Sequence, residues 1–240
     1  MNAADFVAPE VDPAFRDYIG LETASPRATF PDDPDLHESW LDDGWEPLLR
    51  RWIGDAARAG VVEPTALLLA TVERTEYGPR PASRTVLGTG LSTAGVSFFT
   101  DRVSRKGSQL ADMPYAAVTF VWPALGRQVH LRGPVVKLSP EVTAAFWHSR
   151  PRTVQVGGWA SRESQPIASR AELERAHAEV VERFAEVERL PVQPDWCGYQ
   201  VRPEEVEFWQ RRRLRLHNRI RVELEPGGGV AATKITRLQP

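Results

Sequence analysis

Five short stretches set a cation beside a hydroxyl or an amide: "SRT" at 83–85, "SRK" at 104–106, "RQ" at 127–128, "HSRPR" at 148–152 and "ASRES" at 160–164. Such donors hold phosphate or carboxylate through charge-assisted hydrogen bonds, and arginine can do so as a bidentate fork. One stretch alone reads as a solvated strand end. Five in one chain point to an anionic ligand. A further run, "RRRLRLHNRIRV" at 211–222, holds six arginines and one histidine. It could grip nucleic acid, coat an exposed strand, or line a pocket for an anion. The net charge of the chain is −2, whereas a dedicated nucleic-acid binder is basic overall. Nucleic acid is therefore not an expected partner.

Other chemistries lack their signatures. There is no GxGxxG after a strand, no phosphate-binding P-loop and no G-x-S-x-G elbow. His37, His130, His148, His177 and His217 are scattered without zinc spacing. The single Cys197 excludes an internal disulfide and a cysteine-based metal cluster. It also fits a reducing compartment, so a cytoplasmic protein without a metal is expected. No apolar run approaches the roughly 18 residues that span a bilayer. The acidic, proline-containing "MNAADFVAPEVDP" at the start does not read as a signal peptide.

The elements that must position these residues follow from hydrophobic period. Residues 1–38 carry Pro, Asp and Ser without a sustained apolar repeat and are expected to form a flexible arm or lid, followed by a single domain at 39–240. Trp45, Leu48, Leu49, Trp52, Ile53, Ala56 and Ala57 share one helical face, and Gly60 suits the position past its end. The period then shortens. Segments 65–73, 83–90, 95–100, 115–122 and 127–138 read as strands, with a short helix possible at 104–114. Ser139 and Pro140 open a helix that runs toward Pro151, and Ser169 with Glu172 opens another. The apolar face of the second is Leu173, Ala176, Val180, Phe184 and Val187. Strand signals return from Cys197, and the glycines at 227–229 suit a hairpin turn. Strand spacing too tight for intervening helices gives an α+β fold: an antiparallel β-barrel of six to eight strands with peripheral helices.

In order and spacing, "SRTVL", "FFTDRVSRKGSQL", "RQVHLRG", "HSRPR", "GGWASRES", "VEFWQ" and "LRLHNRI" resemble the pyridoxamine 5′-phosphate oxidase family. The resemblance runs from about Glu63 to the terminal "TRLQP", and the ordered pair "EFWQ" and "RLH.R" is its most specific part. It implies a split-barrel homodimer with FMN at the subunit interface. The matching FMN positions are Arg84, Thr85, Val86, Leu87, Phe99, Thr100, Arg105, Lys106, Gln128, Glu163, Ser164, Trp209 and Arg219. Arg84, Arg105 and Lys106 would neutralise the cofactor phosphate, Gln128 would meet the ring edge, and Trp209 would form an apolar wall. Glu163 stands where the family often has glutamine. Arg215 and His217 match the substrate-facing pair. With strand alternation, 215, 217 and 219 share one face, with Arg211, Arg212 and Arg213 in a turn exposed to solvent. Glu63 matches an acidic position at the site mouth, a second proton acceptor.

The resemblance also locates a departure. The family's vitamin B6 oxidases hold a substrate phosphate with Lys, Tyr, Arg and Ser, at positions occupied here by Thr89, Phe146, Arg150 and Val154. Only the arginine remains. This looks similar to the FMN-dependent oxidases of phenazine biosynthesis. It implies hydride transfer to flavin from a reduced aromatic or heterocyclic small molecule, such as a dihydro- or tetrahydrophenazine dicarboxylate, with O2 as final acceptor. The alternatives are a vitamin B6 oxidase and a non-catalytic flavin-binding split-barrel protein.

Overall fold

The structure is a computed structural model that describes residues 34–226 and 232–240. Helix α1 (Trp45–Arg58) buries Trp45, Leu48, Leu49, Trp52 and Ala56, the face its period predicts. Gly60, at φ 77°, turns the chain after it. Strands β1 (Ala66–Thr75), β2 (Gly78–Leu87), β3 (Gly90–Ser92) and β4 (Gly95–Asp101) follow, then the short α2 (Arg105–Asp112). Next come β5 (Tyr115–Trp122), β6 (Arg127–Lys137), α3 (Pro140–Ser149), α4 (Arg152–Ala160) and α5 (Arg170–Arg183). The chain closes with β7 (Trp196–Val201), β8 (Glu205–Gln210), β9 (Asn218–Leu224) and β10 (Ala232–Leu238).

All described pairings are antiparallel, and the main path runs β10-β9-β8-β6-β5-β1-β2 without closing. Thr85, Leu68, Thr119, His130, Glu207 and Arg221 are successive register partners across six strands. Alternation fixes what lies on each side of that row. One face carries Leu67, Leu69, Val118, Val129, Leu131, Val206, Phe208, Ile220 and Val222, all buried. Helix α1 packs on this face: Trp52 meets Phe208 edge-on at 5.3 Å. The Arg127 guanidinium lies 4.9 Å from the centre of the Trp52 ring and donates to Asp55 at 2.6 Å. The other face leaves Leu68, Leu87 and Val121 exposed at 43%, 46% and 48%.

Strand β6 joins the two parts of the fold. Its first half pairs with β5 and β8, and its end pairs with β7, which also holds β4. The change of partner brings the Arg202 backbone against Gly133, where a Cβ would sit 1.9 Å from the Arg202 carbonyl oxygen.

The α+β antiparallel architecture matches the expectation, with differences in detail. The strands number ten among the described residues rather than six to eight, because segment 83–90 breaks at Gly88 into β2 and β3 and the ladder extends out to β10. Helix α4 was not foreseen: its sequence "RTVQVGGWA" contains two glycines and β-branched residues, which favour a helix weakly. Ser139 and Ser169 do cap their helices, accepting from Val142 and Glu172 N–H groups at 3.3 and 3.1 Å. Phe184 caps α5 rather than lying within it, and joins Val156 and Leu190 in a small second core. The expectation that 215, 217 and 219 alternate along one strand is wrong. Arg213–Arg215 form a single turn, with Leu214 and Arg215 at φ 56° and 61°, and β9 begins only at Asn218. The glycine turn at 227–229 and most of the proposed arm, up to residue 33, lie outside the described residues. Leu36 is fully buried in the core. Among the described residues no helix is long and apolar enough to cross a membrane.

Gly133→Ala should lower the unfolding free energy by about 1–3 kcal/mol, the usual cost of overpacking. The effect is to be read as a reduced urea midpoint; an unchanged midpoint would mean that β6 and Arg202 separate freely.

Candidate functional site

Among the described residues strand β2 pairs only with β1, which leaves its other edge open. Beside that edge lies a cleft of about 660 Å³ lined by Arg84, Thr85, Val86, Leu87, Thr89, Phe99, Thr100, Lys106, Phe146, Arg150, Val154, Gly157, Gly158, Ser161, Glu163 and Trp196. Eight of the thirteen residues matched to FMN positions and all four matched to the substrate phosphate grip (Thr89, Phe146, Arg150, Val154) therefore meet in one place.

The polar end is organised by β2, β4 and α2. Arg84 donates to Thr71 Oγ1 at 2.6 Å and to Gln109 Oε1 at 2.9 Å, which fixes its guanidinium. Burial, and next the charge of Arg105, lower its pKa, though an arginine stays charged. Ser104 caps α2 by accepting from the Gly107 N–H at 3.2 Å, which directs Lys106 into the cleft. The Lys106 ammonium donates to Thr100 Oγ1 and to Glu163 Oε2, both at 2.9 Å, and the Thr100 hydroxyl also donates to Glu163 Oε2. Burial pushes the Glu163 carboxyl up, but these two donors outweigh it and hold it below the ordinary value. Asp101 lies behind, accepting from the Glu163 N–H at 3.4 Å. Burial, then the Glu163 charge, push Asp101 up to about 6. Of the two carboxyls, Asp101 is thus the one that holds a proton more readily.

The other end is aromatic. Phe146 of α3 stacks on Phe99 of β4 with centroids 4.0 Å apart and planes at 9°. Trp196 continues the layer at 6.0 Å from Phe99. The Arg150 guanidinium lies 4.6 Å from the centre of the Trp196 ring, an arrangement attractive for a cation over an aromatic face. Val154 and the glycines of α4 form the opposing rim.

The remaining sequence candidates lie elsewhere in the chain. Arg105 pairs with Glu73, and both Arg105 and Ser164 line a neighbouring groove of about 390 Å³. Gln128, Trp209 and Arg219 are register partners on the sheet face that also carries Leu87 and Val121. Arg219 is held by Glu207 at 2.9 and 3.2 Å. His217 lies 4.8 Å from the Trp209 ring, and its Nδ1 accepts from the Arg212 N–H at 3.0 Å. That bond leaves the proton of a neutral ring on Nε2. Burial, followed by the charges of Arg211 and Arg215, keeps the imidazole below its ordinary pKa. Arg215 is exposed in the turn, and Glu63 is exposed at φ 52° in the loop before β1. Sequence reasoning did not single out Trp196 or the supports Thr71, Gln109 and Asp101, whereas Ser161 falls in the "ASRES" stretch. Trp196 had a faint signal, as one of eight tryptophans at the start of a strand.

Residues 53–210 match the family described as Pyridoxamine 5′-phosphate oxidase, and residues 196–240 match the Pyridoxine 5′-phosphate oxidase C-terminal dimerisation region. The chain is similar to the Pyridoxine/pyridoxamine 5′-phosphate oxidase of Nocardia farcinica, 55% identical over 240 residues, covering 99% of this chain and 100% of the relative. It is 56% identical over 207 residues to that of Mycolicibacterium paratuberculosis, covering 86% and 89%. Among solved structures it resembles PhzG from Burkholderia lata 383, in complex with tetrahydrophenazine-1-carboxylic acid, at TM-score 0.74 and 34% identity, covering 85% of this chain and 98% of that one. A pyridoxamine 5′-phosphate oxidase-related, FMN binding protein from Nostoc punctiforme PCC 73102 shares the fold at TM-score 0.58 and 22% identity, covering 79% and 97%. The chain belongs to the pyridoxamine 5′-phosphate oxidase family, and this membership supports FMN as its cofactor, an oxidoreductase activity and a homodimeric assembly.

Proposed function

We propose that this chain is an FMN-dependent oxidase of a reduced aromatic or heterocyclic molecule that carries a carboxylate rather than a phosphate. The observation that carries the reading is the aromatic end of the cleft, where Phe146 stacks on Phe99 and Arg150 is the cation. Thr89 and Val154 add no charge. Relative to a grip of Lys, Tyr, Arg and Ser, the missing bonds would each forfeit about 0.5–3 kcal/mol of phosphate affinity. A flat ring with one acid group suits Phe146, Trp196 and Arg150 better. PhzG, 34% identical, has a tetrahydrophenazine carboxylic acid bound.

The cleft suits FMN in its donor set. Lys106, Arg84 and Thr100 would hold the phosphate, and the open edge of β2 at Thr85–Leu87 would run beside the ring. When bound, FMN supplies a two-electron acceptor that O2 reoxidises. The protein contributes position and charge. Gln128, Trp209 and Arg219 would act across a dimer interface, from the exposed sheet face with Leu68, Leu87 and Val121. Exposed apolar residues grouped on one face suit burial against a second copy. From the same direction Arg215 would orient the substrate carboxylate. His217, neutral with its proton on Nε2, would donate a hydrogen bond to the substrate. Glu63 would accept a proton at the mouth.

A second reading, a vitamin B6 oxidase, is favoured by the names of the relatives at 55% and 56% identity and by the retained Arg150. An anaerobic titration separates the two. A reduced phenazine carboxylate should bleach the oxidised-flavin band, and pyridoxamine 5′-phosphate should not at comparable concentration; the reverse pattern makes this a vitamin B6 enzyme. The double variant Thr89→Lys with Val154→Ser should raise kcat/KM for pyridoxamine 5′-phosphate by on the order of tenfold or more, since a hydrogen bond to a charged group contributes about 1.5–3 kcal/mol. No gain would mean that these positions do not face the substrate. Arg215→Ala should cut kcat by about a hundredfold with flavin content unchanged; undiminished turnover would remove Arg215 from the site.

A further inference from the structure

Of the two cations at the polar end of the cleft, Arg84 is bonded to neutral partners, but Lys106, like Arg105 in the neighbouring groove, already has a carboxylate partner. Arg105 is paired with Glu73 at the surface. Lys106, with a side chain only 14% exposed, is paired with Glu163. The Glu163 carboxylate oxygen that accepts from Lys106 also accepts from Thr100. Lys106 and Thr100 are, with Arg84, the donors proposed above to hold the phosphate. A phosphate dianion and the Glu163 carboxylate cannot both hold them without close like-charge contact, which is unfavourable in a half-buried site.

We infer that Glu163 is an internal anion standing in the phosphate-binding end of the cleft, and that FMN binds by taking Lys106 and Thr100 from it. The inference rests on the FMN reading above. Movement of the Glu163 carboxylate toward Asp101, which accepts from the Glu163 N–H, is opposed by like charge. The exit is outward, where the Glu163 side chain is 37% exposed. Facing Glu163 are Lys106 from α2, Asp101 from the end of β4 and Arg150 from the end of α3; Asp195, paired with Arg102 at 2.9 Å, adds negative charge beside Asp101. Two carboxyls therefore border the space where the phosphate arrives. Glu163, held below its ordinary pKa, stays ionised near neutral pH, so the proton that relieves the repulsion goes to Asp101, and FMN binding tightens as pH falls toward the range where Asp101 titrates. Riboflavin, which has no phosphate, does not compete with Glu163.

The test is fluorescence titration of the flavin-free full chain with FMN and with riboflavin, between pH 6.5 and 8.5, where the phosphate (second pKa about 6) is largely dianionic. Glu163→Gln keeps shape and hydrogen-bonding capacity and removes the charge. At pH 8 it should bind FMN on the order of tenfold tighter than the natural chain, the effect of one pKa unit from a neighbouring charge. Its riboflavin affinity should be unchanged. The natural chain should bind FMN more tightly at pH 6.5 than at 8.5, and E163Q should flatten that slope. The natural chain needs no mutation, so its slope for FMN against riboflavin decides the matter even if E163Q folds poorly. FMN binding that is independent of pH and no tighter in E163Q overturns the inference alone. An equal gain for riboflavin overturns it too, by removing phosphate from the cause. Absence of FMN binding by the natural chain at any pH removes the cofactor reading and this inference together.

Discussion

One row of register partners, from Thr85 through Leu68, Thr119, His130 and Glu207 to Arg221, decides most of this molecule. A strand has a period of two, so six strands in register make two faces with opposite composition. The face between the row's residues holds the core and receives α1. The face of the row itself is left with Leu68, Leu87 and Val121, together with the ion pairs of Glu207 to Arg219 and Arg221. A slip of one residue anywhere would exchange these sets. The cleft and the distant group around Trp209 therefore have a fixed relation without touching each other within one chain. On the reading proposed above, a dimer would bring one protomer's cleft to its partner's Trp209 group.

The cleft is also a problem in charge compensation. Arg84 is bonded to neutral partners, Thr71 and Gln109, while Lys106 and Arg105 are each matched by a glutamate. The pairs differ in worth. Arg105–Glu73 is solvent-exposed, where water and salt screen such a contact. Lys106–Glu163 is more sheltered, with Thr100 sharing the acceptor. Water competes less well there, so the second pair has the greater influence on what enters.

Sequence reading succeeded where periodicity or cap chemistry was strong. The α1 face from Trp45 to Ala56, the caps at Ser139 and Ser169, and the antiparallel strands needed nothing beyond spacing. The cleft set was legible because "SRT", "SRK" and "HSRPR" each set a cation beside a hydroxyl; the first lies within β2, the second opens α2 and the third ends α3. Other parts were not legible, for identifiable reasons. Helix α4 forms on "RTVQVGGWA" with low intrinsic propensity, tied in place by Arg152 donating to the Phe184 and Val187 carbonyls at 2.6 and 2.7 Å. The support of Arg84 by Gln109 spans 25 positions, and that of Glu163 by Asp101 spans 62. No local pattern carries such separations. The alternation drawn through Arg215 failed because arginine and leucine give no local warning of a left-handed bend.

That bend, at Leu214 and Arg215, has a further consequence. Two adjacent side-chain-bearing residues in the left-handed region cost about 1–2 kcal/mol each relative to ordinary backbone. Valine, isoleucine or threonine would fare worse there, and only glycine, asparagine and aspartate adopt it with ease. The menu of residues acceptable at these two positions is therefore short, and none of the easy ones carries a long cation. The cleft wall at Thr89, Phe146 and Val154 has ordinary backbone and accepts almost any side chain that fits. On the proposed reading, retargeting this protein to a new molecule is thus a matter of redecorating the wall, while the arginine-bearing bend is a fixture around which the redesign has to work.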